Sequence, residues 1–353
     1  MNFCELEPAE FADFEAKNQY GNFFQSVERG KLRKKMGFSS FLLGVKDGDK
    51  VLAAGLAVAR NGEVWVQLGP VMDWNDLKLV ECFIDGIIDF CKKHKFAELE
   101  IYPPVIKTVR DAVGEKQKEF DLTKLFALFE EKGFKYGGET ILAQPKANRW
   151  MAVKDMSGLH TIDEAYASVH STKRRYLKKT NADLEIKFVE DKKGLKDWRK
   201  ALEDSNRKNG MPTRKLEYFE NIWDIFGKKA KFVEARTRDG GELTASALCM
   251  ETNGELVLFL LGTVDEFKRL NGATAINGWM MEECINKKLK RLNFYGVDGD
   301  FSEKNHLLSF KAGFGIFVEE YVGEFSKVLN PGKYFGSRVK RKIGSVARRV
   351  LHV

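Results

Sequence analysis

The sequence predicts a mixed α/β protein (α+β in its strand order) assembled from one unit used twice. Three observations carry this. Segments 41–73 and 232–265 share one pattern: a β-like run, a turn, a second apolar run, an Asn-Gly turn and a third run. The Asn-Gly pairs, Asn61-Gly62 and Asn253-Gly254, lie between alternating apolar runs. That is the strongest short hairpin signal, because both turn residues tolerate positive φ. Beyond each hairpin the match continues into a helical stretch ending in Lys-Lys and then a strand-like tetrapeptide, LEIY at 99–102 and LNFY at 292–295.

Taken in order, the first turn of each copy is Asp47-Gly48-Asp49 or Asp239-Gly240-Gly241. Apolar residues at helical spacing cover 79–94 and 275–289. Lys132-Gly133-Phe134 and Ala312-Gly313-Phe314 each precede a further β run. A length of 353 residues suits two domains. The expected division is 1–150 together with 322–353 against 151–321. Apolar residues at 43% supply two cores and exclude disordered, collagen-like and disulfide-scaffold chains. Five cysteines, Cys4, Cys82, Cys91, Cys249 and Cys284, are odd in number and widely spaced, as expected for thiols in a reducing compartment. The five histidines show no ligand spacing, so neither a metal nor an organic cofactor is expected. The acidic N-terminus lacks a signal-peptide layout, and no apolar run approaches a membrane span. A cytoplasmic monomer is the expectation.

Charge is unevenly placed on a chain of net +8. Segment 171–215 carries fifteen Lys/Arg against seven Asp/Glu, and 333–353 carries seven basic residues and no acidic one. The remainder is mildly acidic, so two basic zones stand out and point to a polyanionic partner. In the tail, Val339, Ile343, Val346 and Val350 recur on one helical face, with arginines and lysines over the rest. Such a basic amphipathic helix can lie on an anionic membrane surface, bind RNA or dock on its own domain.

The order meander, helix, strand, helix, strand resembles the GNAT acyltransferase fold, here in tandem and without a coiled-coil arm. A GNAT enzyme that uses acyl-CoA cradles the pyrophosphate on a loop of the form R-x-x-G-x-G/A. Copy two offers only the partial match Arg269-Leu270-Asn271-Gly272-Ala273-Thr274, and copy one offers a loop interrupted by Pro70 and Asp73. The donor is therefore expected to differ from CoA. The segments NFFQSVERGKLRKK, GPVMD, RKNGMPTRKLEYF, SFKAGFG and EEYVGEFSKVLNP then resemble the FemABX peptidoglycan-bridge aminoacyltransferases over nearly the whole chain. The resemblance implies transfer of an amino acid from aminoacyl-tRNA to the side-chain amine of the peptidoglycan stem peptide. The acceptor would be UDP-MurNAc-pentapeptide or its lipid-linked form.

The same resemblance implies site residues. Lys311, after Phe310, matches the lysine that steadies the oxyanion of the tetrahedral intermediate. Arg214 and Tyr218 match acceptor-binding residues, with the guanidinium suited to phosphate. Near the N-terminus a cation meets the diphosphate, and Lys31 and Arg33 both qualify. Tyr102 stands before Pro103, where members of the family often carry Asp, and is an acceptor-site candidate lacking that carboxylate. The KRRYLKK run at 173–179 suits tRNA phosphates through Lys173, Arg174, Arg175, Lys178 and Lys179, with Tyr176 for stacking, or is a plain basic helix. Two other readings remain: an acyl-CoA-dependent N-acyltransferase and a non-catalytic RNA-binding module.

Overall fold

The structure, a computed structural model, describes residues 1–141 and 146–336. Most of the basic amphipathic tail, 337–353, therefore lies outside the described residues. Both Asn-Gly hairpins form with left-handed turn residues, at φ 55° and 85° for Asn61-Gly62 and 41° and 73° for Asn253-Gly254. These are the mirror-image turns that match strand twist.

The first hairpin seeds an eight-stranded sheet. Its main path runs Asn2–Glu5, Ser39–Asp47, Lys50–Arg60, Glu63–Gln67, Glu98–Tyr102, Phe325–Val328, Lys135–Tyr136. The helix Leu77–Lys93 packs on it. The Asp76 carboxylate accepts from the Lys78 and Leu79 amides at 3.1 Å and so satisfies two free donors of the first turn. Leu79, Val80, Phe83, Ile84, Ile87, Ile88 and Cys91, at three- and four-residue spacing, form its buried stripe.

The second hairpin belongs to a nine-stranded sheet. Its order is Leu184–Phe188, Ala230–Thr237, Leu243–Thr252, Glu255–Thr263, Arg291–Val297, Trp150–Asp155, Phe317–Tyr321, Ile106–Arg110, Lys116–Glu119. Its central helix, Gly272–Lys287, is buried on more than one side, because the helix Ser171–Asp183 covers the face turned away from the sheet. Small residues make the fit possible. A Cβ on Gly272 would stand 2.4 Å from Thr244 Oγ1, and one on Gly278 would stand 2.7 Å from Leu177 Cδ2. Gly272, the residue on which a CoA loop would rest, thus serves contact between helix and strand.

The sheets do not simply follow the two halves of the chain. The ribbon Ile106–Glu119, between elements of the first sheet, pairs through Ile106–Arg110 with Phe317–Tyr321 of the second. The chain then returns, and Phe325–Val328 pairs with Glu98–Tyr102 and with Lys135–Tyr136 of the first. A buried ion pair pins the exchange. Arg149, 1% exposed, donates to Glu320 Oε1 at 2.7 Å and to the Gly138 carbonyl at 2.7 Å.

Candidate active site

The two copies differ at their central parallel strands. In the first, Glu63–Gln67 and Glu98–Tyr102 remain paired over five positions, through Gln67 with Tyr102. In the second, Glu255–Thr263 and Arg291–Val297 pair only over Glu255–Val257 and Arg291–Asn293. Past Asn293 the strands part, which is the splayed cleft of an acyltransferase of this architecture. Among the described residues, only the second copy carries it.

Lys311 reaches this parting. It sits near the end of the helix His306–Ala312, whose N-cap is the Asn305 side chain accepting from the Leu308 amide at 3.0 Å. Its Nζ donates to the Gly296 carbonyl at 2.8 Å and meets the Tyr295 carbonyl at 3.4 Å. These are strand residues beyond the last parallel pair. Lys311 is 6% exposed, and among the described residues no carboxylate pairs with it. Burial without a counter-ion pushes its ammonium down to about 7.

A second cationic group forms where the copies meet. Arg29 and Arg33 lie one turn apart on the helix Val27–Lys35, which packs on the helix Leu216–Phe226 just beyond Arg214. The Arg29 guanidinium lies over the Phe24 ring at 5.2 Å, and that of Arg214 over the Tyr218 ring at 4.5 Å. Burial lowers Arg33 to about 9, with the charges of Arg29 and Arg214 adding to the effect. Among the described residues none of the three pairs with a carboxylate, and the buried Nε atoms of Arg29 and Arg33 have no hydrogen-bond partner. Three guanidiniums gathered in a partly dry corner repel one another unless an anion joins them. The geometry is therefore that of an anion site.

Tyr295 joins the two cationic groups. Its ring stacks on Phe24 at 6.1 Å and meets Phe259 edge-on at 5.5 Å. Burial raises its hydroxyl above the usual tyrosine range, and the charges of Arg29, Arg214 and Arg33 oppose that rise. Beside it a cavity of about 220 Å³ opens between the copies, lined by Asn22, Phe23, Phe24, Arg291, Asn293 and Tyr321 among others. Its polar wall is a network in which Arg291 forks onto Glu319 at 2.6 and 2.5 Å and donates to Glu255 at 2.6 Å.

The residues singled out from the sequence fall in three places. Arg33, Arg214 and Tyr218 come together in the anion site, whereas Lys31 is exposed on the same helix. Tyr102 is 4% exposed and packs in a different core cluster, its hydroxyl 2.8 Å from Glu100 and 2.9 Å from Glu324. The basic helix Ser171–Asp183 flanks Lys311: Lys173 Nζ lies over the Phe310 ring at 4.0 Å. Arg175, Lys178 and Lys179 are exposed. Arg174 instead donates to the carbonyls of Tyr166, Ala167 and Val169, closing the end of the preceding helix. Arg29 and Tyr295 were not anticipated. Arg29 was within reach of a spacing argument, since it precedes Arg33 by four residues. Among the described residues no group of three His, Cys, Asp or Glu is placed to hold a metal, and no helix is long and apolar enough to cross a membrane.

A duplicated GNAT-type scaffold, one open cleft with a buried lysine and an inter-copy anion site define an acyltransferase. The chain belongs to the FemAB family, whose profile it matches over residues 6–238 and 234–342. It is 24% identical to the aminoacyltransferase FemB of Staphylococcus epidermidis over 407 residues, covering 95% of this chain and 97% of that one. The crystal structure of FemX superposes with a TM-score of 0.81 at 16% identity, over 95% of this chain and 99% of the other. A tandem GNAT protein from the clavulanic acid biosynthesis pathway shares the fold at a TM-score of 0.55 and 10% identity, over 94% and 99% of the two chains.

Proposed function

We propose that this protein transfers an amino acid from aminoacyl-tRNA to the side-chain amine of a peptidoglycan stem peptide carried on a diphosphate, as UDP-MurNAc-pentapeptide or its lipid-linked form. The observation that carries the reading is the pairing of two unneutralised cationic sites, one between the copies and one at the cleft. The acceptor diphosphate would lie on Arg33 and Arg214, with Arg29 completing the charge and Tyr218 bordering it. The tRNA would follow the helix Ser171–Asp183, its phosphates on Arg175, Lys178 and Lys179, so that its 3′ ester enters the cleft beside Lys173, Phe310 and Lys311.

The chemistry is balanced without a cofactor. The neutral amine attacks the ester carbonyl, a C–N bond forms, and the carbonyl oxygen becomes an oxyanion. As the C–O bond to the ribose breaks, the nitrogen gives up one proton and the ribose oxygen takes one up, leaving as a hydroxyl. Protonated Lys311 steadies the oxyanion, and the dry surroundings strengthen that interaction. The matching requirement is that the acceptor amine, ordinarily protonated to about 10.4, reaches the cleft neutral.

The test is direct. Purified protein with charged tRNA and UDP-linked muropeptide yields a muropeptide heavier by one aminoacyl residue on mass spectrometry. Product with acetyl-CoA in place of charged tRNA would favour a CoA enzyme instead. Binding of tRNA with neither product would favour an RNA-binding module.

A further inference from the structure

We propose that Tyr295 is a positioning residue: its left-handed backbone turns two successive strand carbonyls onto the Lys311 ammonium at the point where the parallel strands part. The comparison of the two copies within the chain points to it. LEIY and LNFY occupy corresponding places, so Tyr102 and Tyr295 are counterparts. Tyr102 keeps extended backbone and stays paired with Gln67. Tyr295 has φ 66°, a conformation that L side chains other than Asn and Asp rarely adopt.

The left-handed residue is also a bulge. Opposite it, the antiparallel partner Trp150–Asp155 shifts register, with Met151 facing Gly296 and Val153 facing Asn293. Phe294 and Tyr295 together therefore oppose Ala152, and a bulge of this kind bends its strand and re-aims nearby groups. The surroundings hold the disfavoured conformation from each side. The Tyr295 amide donates to Asn293 Oδ1 at 2.7 Å, which takes it out of the ladder. Its ring is clamped between Phe24 and Phe259. The next residue is glycine, and the Asn148 side chain lies against it where a Cβ would stand, 2.3 Å from Asn148 Nδ2. What the distortion achieves is visible at Lys311, whose Nζ meets the Tyr295 and Gly296 carbonyls and no carboxylate among the described residues. Strained backbone kept at a cleft calls for such a purpose.

This inference takes Lys311 as the functional lysine of the proposed reaction, and its test separates the two. Tyr295→Asn and Tyr295→Val both delete the ring, but only Asn tolerates the left-handed backbone. The Lys311 ε-carbon is titrated by NMR in the free protein, with Lys311→Met to assign the signal, and turnover is measured alongside. Expected is a Tyr295→Asn midpoint matching that of the wild type, near 7, and a displaced midpoint in Tyr295→Val. With turnover, kcat falls about 100-fold in Tyr295→Val and recovers most of that loss in Tyr295→Asn, with KM for the acceptor similar in the two. Should the valine variant fail to fold, Tyr295→Ala replaces it in the same comparison. Asn and Val (or Ala) variants that titrate and turn over alike would overturn the proposal. The titration needs no substrate, so it stands or falls apart from the assignment of donor and acceptor.

Discussion

At the scale of single residues, Lys311, Arg29, Arg33 and Arg214 are cations that no carboxylate pairs with among the described residues. Lys311 has its proton affinity lowered from the ordinary 10.5 to about 7 by burial. Between about 7 and 10.5 the unfolded chain holds a proton that the folded chain has released, so folding stability rises with pH across that window. Below about 7 the desolvation cost of the charged lysine is present in full. Lys311→Met removes it, so the variant should be more stable than wild type at pH 6 by on the order of a few kcal/mol. That advantage should fade toward pH 10, as urea melts at the two pH values would show. In turnover the same group supplies the alkaline limb. Charged Lys311 is lost above about 7 while neutral acceptor amine is gained, giving a bell-shaped profile whose falling side disappears in Lys311→Met. The arginines give a second expectation. Arg214→Lys keeps the charge but loses the planar fork, and should weaken binding of the UDP-linked muropeptide about tenfold by calorimetry. Wild-type affinity itself should fall steadily with added salt.

At the scale of elements, what could be read from the sequence depended on how local the cause was. The Asn-Gly hairpins, the helices ending in Lys-Lys and the following strands were legible because turn chemistry and apolar periodicity lie within a few residues. Lys311 was legible because its neighbours form a distinctive segment. Lys31 and Arg33 could not be separated, since two residues on a helix point to different sides and only the partner helix reveals which side matters. The KRRYLKK run read as uniformly basic, yet Arg174 is engaged by three carbonyls while its neighbours are exposed. Tyr295 was hidden for a sharper reason. Its tetrapeptide matches that of Tyr102, and the difference in backbone arises from the rings and the bulge around it. The ribbon Ile106–Glu119 was equally hidden, because its pairing partner is more than two hundred residues away. Its anchor can be tested. Arg149→Met takes the 2.7 Å partner from the 3%-exposed Glu320, leaving Arg110 at 3.6 Å and Lys107 at 4.0 Å, and should cost about 1–3 kcal/mol in denaturant unfolding.

At the scale of the molecule, duplication has produced two copies with different tasks. The first keeps its central strands closed, and the second opens them. The anion site needs both, since Arg29 and Arg33 come from one copy and Arg214 from the other. Strand exchange ties the copies together, so unfolding should be one cooperative transition, with near- and far-ultraviolet circular dichroism coincident. Two separate transitions would show that the exchange does not couple them. The central claim is that a buried lysine in the open cleft drives transfer from an RNA-borne ester to an amine held by its diphosphate. The most direct measurement is single-turnover transfer from charged tRNA to UDP-linked muropeptide by wild type and Lys311→Met, with folding checked by circular dichroism. The account predicts product from the wild type and a loss of at least about 100-fold in a folded variant. Equal rates from the two proteins would contradict it.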